Sequence, residues 1–378
     1  MLFPQEEGAS EKEIAVEQRE GKQGPSEEAI LAALSTIEDP ELRRDIVSLG
    51  MIRDLQVDGG KVAFRFVLTT PACPLRSEFQ CRAEEAVRTV PGVESVDVKM
   101  DADVRAHSPL SGPRQVEGVR NIIAVASNKG GVGKSTVAVN LAIALGKHGA
   151  RVGLLDADLT GPNIPTMVGL EQGYQADTGL VPVTCYGVKV VSIGFLLRPG
   201  LPVIWRGPLI GSGIRQLLHE VPWAADGELD YLIIDLPPGT SDAPLSMTQE
   251  APIAGVVIVT TPQVISLEDA AKAVKMFEKL DVPVFGIIEN MSYFLCPHCG
   301  QRTEIFGYGG AREAAEKLGL EFLGEVPLDV QVRASGDEGV PIVEREPDSP
   351  VTQVFMLIAE RIAARTSVQG FFEETVAR

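Results

Sequence analysis

The sequence is short of positive charge. It has 34 lysines and arginines against 52 aspartates and glutamates, a net charge of −18. Such a chain lacks the broad basic face that grips a nucleic-acid backbone, so no nucleic-acid partner is expected. It also lacks any apolar run near the ~18 residues that cross a bilayer. Its start, MLFPQEEGASEKE, has neither the basic n-region nor the apolar core of a secretory signal. No membrane partner is expected, and the expected location is cytoplasmic. Cysteines number five, an odd count without a signal. That argues against a disulfide framework and leaves thiols for metal or redox chemistry. The four histidines form no ligand cluster, and no internal repeat is visible.

What is present centres on residues 127–136, SNKGGVGKST. The apolar run Ile122-Ile123-Ala124-Val125-Ala126 precedes it, and Val137-Ala138-Val139-Asn140-Leu141 follows. Strand, glycine-rich loop and helix in that order predict a phosphate site. Asn128, Lys129, Gly130, Gly131, Val132, Gly133, Lys134, Ser135 and Thr136 form the cradle. Its backbone N–H groups turn inward, and the helix dipole adds positive potential. Lys134 is placed to reach β/γ-phosphates, and Ser135 to serve Mg²⁺. Lys129 is a second lysine in a loop with room for one. It is expected to point to a phosphate held by another subunit. Asn128 stands where the usual pattern has glycine, and is expected to tolerate positive φ.

Around this loop the chain divides. Residues 1–25 read as an acidic disordered leader. Residues 26–103 read as a small α+β domain: a helix capped by Ser26, two strands joined at Asp58-Gly59-Gly60, a helix over 74–90 and a strand over 93–100. Residues 104–118 have linker composition. From 119 to 366 strands and helices alternate, giving an α/β P-loop NTPase fold with a mostly parallel, doubly wound sheet. Strands are predicted at 121–127, 151–156, 187–193, 230–236, 254–260, 282–289 and 321–326. A helix over 267–280 is expected to start on a capping box at Ser266, and a last helix covers 350–365. Residues 367–378 read as a tail without a basic face.

Several acids end strands beside the loop. Asp156 and Asp158 suit a Mg²⁺ shell and an attacking water, with Asp158 the better placed for water. Asp235 ends Tyr231-Leu232-Ile233-Ile234 as a Walker B carboxylate for Mg²⁺. The 236–242 loop is expected to sense the γ-phosphate through the Gly239 N–H and to move on hydrolysis. No NKxD motif follows, so the base is expected to be adenine, and Asn290 is a reasonable contact for it.

Cys296-Pro297-His298-Cys299 supplies two thiolates, half of a tetrahedral set. Cys73, Cys81 or Cys185 folding over, His298 joining, or a two-fold axis bringing a second CxxC would each complete it. The two-fold option requires no long-range coincidence within one chain. A lone redox dithiol or structural cysteines are the bland accounts, and spacing does not separate zinc from iron–sulfur. Cys73 precedes a predicted helix, where it is either an activated thiolate or a small buried residue. Cys81 and Cys185 read as core. Asp39-Pro40-Glu41 reads as N-cap, N1 and N2 of a short helix.

Taken together, the residues resemble a known family. NKGGVGKST with its additional Lys129 resembles the deviant Walker A of the nitrogenase-iron-protein/MinD/ParA group of P-loop ATPases. DADLTGPNIPTMVG (156–169), WRGP (205–208), DLPPGTSD (235–242), VTTPQ (259–263) and ENMSYFLCPHCG (289–300) look like the Mrp/ApbC family of iron–sulfur cluster carriers. That resemblance runs from about Gly118 to Ile362. Residues 26–103, with DPE at 39–41 and TTPACPL at 69–75, resemble the domain of SufT-type maturation proteins. The resemblance implies a homodimer with facing P-loops. Lys129 would reach the partner's nucleotide, Asp158 would position water, and Ser135 and Asp235 would hold Mg²⁺. Cys296 and Cys299 of both chains would bridge one 4Fe–4S cluster. Two departures are Asn128, where the family has glycine, and Thr160, where it has tyrosine.

The expected function is a slow ATPase that carries a labile 4Fe–4S cluster to apo iron–sulfur client proteins, alongside cluster-assembly machinery. Alternatives are a MinD/ParA-like positioning ATPase, a redox ATPase, or a dimer with a structural metal at the CxxC. The first of these would need a basic amphipathic C-terminal helix or a DNA-binding patch; the sequence shows neither, and that reading leaves the CxxC unexplained.

Overall fold

A computed structural model describes residues 24–107, 112–158, 161–170, 180–192, 194, 207–239 and 242–377. The acidic leader through residue 23, linker residues 108–111, Thr160, residues 205–206 and Thr240 lie outside the described residues.

The Ser26 side chain accepts the Ala29 N–H and starts α1 (Glu27–Leu34), which buries Ile30 and Leu34. Strand β3 (Ile52–Asp58) turns at Gly59-Gly60 into antiparallel β4 (Lys61–Leu68). Helix α2 (Arg76–Arg88) then crosses to β5 (Ser95–Ala102), parallel to β4. Phe66 and Phe79 stack at 5.5 Å between sheet and helix. The buried face of α2 is Phe79, Ala83 and Val87, at a spacing of four. Cys81 falls on the other side and is exposed, not core as expected.

The Asp39-Pro40-Glu41 expectation also needs correction. Asp39 caps a turn, not a helix: its Oδ1 accepts the Glu41 and Leu42 amides at 2.8 and 3.0 Å. Arg43 then takes φ 51, and the chain reverses so that β1 (Glu38–Asp39) pairs antiparallel with β2 (Arg44–Asp45). The left-handed residue ends helical propagation before one turn is complete.

The large sheet has strand order β13-β12-β11-β6-β10-β7-β9-β8, with β14 also on β12. Its strands are β6 (Val119–Ala126), β7 (Val152–Asp156), β8 (Val183–Cys185), β9 (Val188–Ser192), β10 (Leu229–Asp235), β11 (Gly255–Thr260), β12 (Val284–Leu295), β13 (Arg302–Thr303) and β14 (Phe322–Leu328). All pairings are parallel except β8 with β9 and β12 with β13. Successive residues serve opposite faces. Ile123 and Val125 of β6 pack with α3 (Lys134–Lys147) and α11 (Pro350–Ala377), while Ile122 and Ala124 pack with α5 (Gly207–His219), α6 (Asp242–Glu250) and α7 (Val264–Lys279). Two covered faces explain strands that are apolar throughout rather than alternating.

Three elements differ from expectation. Helix α7 begins at Val264 with Gln263 as N-cap, so Ser266 lies inside it, buried, with its hydroxyl accepting from that of Thr261 at 2.9 Å. Strand β12 runs on to Leu295. Helix α11 continues through Ala377, across the segment expected to be a tail.

That extension meets the small unit at the end of the sheet opposite the phosphate loop. Tyr231, near the start of β10, donates to the Thr70 hydroxyl at 3.0 Å. Ser367 donates to the Thr69 carbonyl at 3.3 Å. Phe371 packs on the small core, with the Arg44 and Arg105 guanidinium groups 5.4 and 5.1 Å from its ring centre.

Candidate nucleotide site and cysteine knuckle

The loop after β6 emerges between β10 and β11, at the carboxyl edge of the sheet where α/β folds collect ligands. Gly131 and Gly133 take φ 81 and 82, conformations that only glycine adopts freely. Gly133 is the N-cap of α3, so the helix begins at Lys134 with its N–H groups facing the loop. Asn128 does not use positive φ as expected. It instead reaches Asp269 of α7, Nδ2 to Oδ1 at 3.4 Å, which ties the loop to a neighbouring helix. Lys129 is exposed at the mouth of the cleft that the loop lines.

Lys134 and Ser135 both rest on Asp235. Lys134 Nζ is 2.6 Å from one carboxylate oxygen, and Ser135 Oγ donates to the other at 2.6 Å. Burial pushes the Asp235 pKa up, against the pull of Lys134 and Ser135. Asp156 is buried too, and its oxygens are committed to the Ser192 hydroxyl (2.9 Å) and the Ile164 and Asp158 amides (3.3 and 3.2 Å). Burial, then the charge of Asp235, pushes it up to about 8. The expectation of two acids sharing a Mg²⁺ shell is therefore corrected: Asp156 is taken up by the Asp158 and Ile164 amides and the Ser192 hydroxyl, and of the two acids Asp158 alone lines the cleft. Gly239 N–H donates to the Ser127 carbonyl at 2.9 Å, so here it binds the loop itself.

The cleft holds about 620 Å³, the size of a small-molecule site. Lys129, Lys134, Ser135, Thr136, Asp158 and Asn290 line one side. Asn290 ends up 6% exposed, with Nδ2 donating to the Val132 carbonyl at 2.8 Å. The opposite wall is Pro327, Asp329, Val332 and Arg333, from the end of β14 and the first turn of α9 (Val330–Asp337). Sequence reading missed this wall. Its one signal was Pro327-Leu328-Asp329 ending a strand, with Asp329 capping the helix through the Gln331 and Val332 amides.

The CxxC caps the far end of β12. Cys296 N–H donates to the Gln301 carbonyl and Gly300 N–H to the Cys296 carbonyl, at 3.0 and 2.8 Å, closing a knuckle before β13 returns. N–H groups of His298 and Cys299 directed at the Cys296 sulfur hold its thiol below the usual value. Among the described residues, no three His, Cys, Asp or Glu side chains gather as a metal set. Cys185 sits in β8, at the opposite sheet edge from β13. Cys73 lies with the small unit near Glu41 and Glu360, where burial pushes its thiol up to about 11. It is not the activated helix-terminal thiolate that was one expectation. Neither folds over to the knuckle, and His298 is exposed on it.

Residues 118–363 match the family described as NUBPL iron-transfer P-loop NTPase, and residues 27–99 match that described as iron-sulfur cluster assembly protein. The chain belongs to the NUBPL iron-transfer P-loop NTPase family. An iron-sulfur cluster carrier protein of Synechocystis sp. is 50% identical over 348 residues, covering 90% of this chain and 98% of its own. The iron-sulfur cluster carrier protein of Escherichia coli is 44% identical over 294 residues, covering 77% of this chain and 78% of its own. A nucleotide-binding protein from Archaeoglobus fulgidus, solved in complex with ADP, is 47% identical, with a TM-score of 0.53 over 62% of this chain and 92% of its own. Within this NTPase, no helix among the described residues is long and apolar enough to cross a membrane.

Proposed function

We propose that this chain is an iron–sulfur cluster carrier that binds and hydrolyses ATP, holds a labile 4Fe–4S cluster between two copies of itself, and passes it to apo-proteins. The observation that carries the reading is the knuckle. It offers two thiols, one of them activated, and the described chain supplies no third ligand. A second copy completes a four-thiolate set, and relatives named as cluster carriers support iron over zinc. In this reading the cluster is cargo.

The nucleotide half follows from the cleft. An arriving phosphate draws Lys134 Nζ away from Asp235 and frees that carboxylate. Ser135 and Asp235 would hold Mg²⁺, which would supply positive charge to the phosphate oxygens. Asp158, bonded through its amide to Asp156 and through its carboxylate to the Gly161 N–H, orients the attacking water. Lys129 extends from the exposed side of the loop to the partner's phosphates. The adenine lies between Asn290 and the α9 wall. Hydrolysis is slow because its work is conformational: loss of the γ-phosphate releases the loop after β10 and strains the dimer. Residues 26–103 act as an assembly-type module on residues 119–366, and the compartment is cytoplasmic.

Anaerobic reconstitution with ferrous iron and sulfide tests this reading. The expected result is a cluster absorbance at one cluster per two chains, abolished in Cys296→Ala, with transfer to an apo-ferredoxin that Lys134→Ala impairs. Zinc bound at one ion per dimer with no iron uptake would overturn it.

A further inference from the structure

Strand β12 serves both sites. At Asn290 it is tied to the phosphate loop through the Val132 carbonyl. Six residues later it delivers Cys296. Between these points the strand is irregular. Met291 takes φ 55, and the register against β14 shifts between Asn290 and Phe294. The return strand β13 contributes two residue pairs, Phe294 with Thr303 and Leu295 with Arg302. So short a ladder on a broken strand does not by itself fix the direction in which the knuckle leaves the sheet.

Side chains supply that constraint. The Arg302 guanidinium lies 3.9 Å from the Tyr293 ring centre and 5.1 Å from that of Tyr308. Its Nη1 and Nη2 reach Glu325 of β14 at 3.4 and 3.5 Å, and Nε reaches Glu304 at 3.2 Å. Glu325 is also 3.3 Å from the Ser292 hydroxyl, which donates to Glu289 at 2.6 Å. Glu289 is fully buried and accepts the Ala311 N–H at 2.8 Å. A continuous set of contacts thus runs from the buried start of α8 (Gly310–Leu318) to Arg302, three residues beyond Cys299.

We propose that Arg302, held by Glu325, is a positioning residue for the cysteine pair: it sets the angle of the knuckle on β12 and so the geometry at which Cys296 and Cys299 engage metal. The inference rests on reading those cysteines as metal ligands. A planar guanidinium can lie flat on an aromatic ring while its in-plane fork of N–H groups bonds carboxylates, a geometry that the compact point charge of an ammonium does not reproduce. Groups outside the ligand shell that orient ligands in this way typically change metal retention by 10–100-fold.

The test uses the full chain as wild type, Arg302→Ala, Arg302→Lys and Glu325→Gln. Each is reconstituted anaerobically with iron and sulfide, and loss of iron to a chelator is timed. Arg302→Ala and Glu325→Gln should lose iron about tenfold faster than wild type, with thermal midpoint and ADP affinity unchanged. Arg302→Lys should stay impaired. Equal release rates, or full rescue by lysine, overturn the positioning role. If even the wild-type chain takes up no iron, the carrier reading fails. The positioning claim is then decided by amide exchange of the metal-free protein. The Cys296 and Gly300 amides must exchange several-fold faster in Arg302→Ala, and unchanged exchange overturns it.

Discussion

Asn290 fills the space that any side chain at Gly133 would need. A β-carbon built on Gly133 would lie 2.1 Å from Asn290 Nδ2, the atom that donates to the Val132 carbonyl. The phosphate loop is therefore shaped from outside as well as by its own glycines. Gly133→Ala meets both this clash and the strain of φ 82, about 1–3 kcal/mol for the backbone alone. ADP affinity should fall at least tenfold by titration calorimetry. Asn290→Ala alone leaves the Val132 carbonyl unpaired at a cost of about 1 kcal/mol. The double variant should bind better than Gly133→Ala, because the clash is gone and only the strain remains. Strictly additive losses would show that the two positions do not interact.

Asp156 gives a pH signature. Its pKa is pushed from 3.8 to about 8 by burial and by the charge of Asp235. A raised value means that folding favours the protonated carboxyl. That stabilisation is fully present below 3.8 and is lost as pH climbs through about 8. The nucleotide-free wild type should therefore lose thermal stability between pH 5 and pH 8.5. Asp156→Asn keeps an acceptor for Ser192 and Ile164 but turns an NH₂ toward the Asp158 amide, a cost of about 1 kcal/mol. The variant should be less stable than wild type at pH 5 and approach or pass it at pH 8.5. Parallel melting curves across that range would refute the assignment.

The fold and the phosphate loop were legible because local rules and tertiary demands agree there. Apolar strands ending in Asp156 and Asp235 read correctly, since both sheet faces are covered. Disagreements arose where one residue answers to a distant partner. Asn128 looked like a positive-φ substitute for glycine but is held by Asp269, 141 positions away. Ser266 looked like a cap but is buried against Thr261 within a helix that begins earlier. The α9 wall of the cleft was invisible because nothing in Asp329 to Arg333 has a phosphate- or base-binding pattern. Only the fold brings it opposite the loop.

The cysteines should separate by reactivity. Burial pushes both Cys73 and Cys185 up to about 11. Two units above the ordinary thiol leaves about a hundredfold less thiolate at neutral pH. Cys81 and Cys299 are exposed, and Cys296 is held below the usual value. Brief iodoacetamide treatment of the metal-free protein at pH 7.5, read by peptide mass spectrometry, should label Cys296, Cys299 and Cys81 well before Cys73 and Cys185. Early labelling of Cys73 would mean that its loop opens readily in solution.

That opening can be provoked at the seam with the small unit. Tyr231 is fully buried, and its hydroxyl donates to Thr70, three residues before Cys73. Tyr231→Phe removes this bond while the Ala72 N–H still reaches the Thr70 hydroxyl at 3.2 Å, so the loss should be about 1 kcal/mol. Phe371→Ala removes the ring that Arg44 and Arg105 flank, along with its packing on the small core, a loss of about 2 kcal/mol. Both should speed Cys73 alkylation several-fold, and the double variant should speed it further, because the two contacts hold the same seam from different elements. ADP affinity should not change, since Asp235 lies at the other end of β10 from Tyr231 and is fixed there by Lys134 and Ser135. Unchanged Cys73 labelling in the double variant would show that these contacts do not hold the seam closed. A matching fall in ADP affinity would instead show that β10 transmits strain from the seam to the phosphate site.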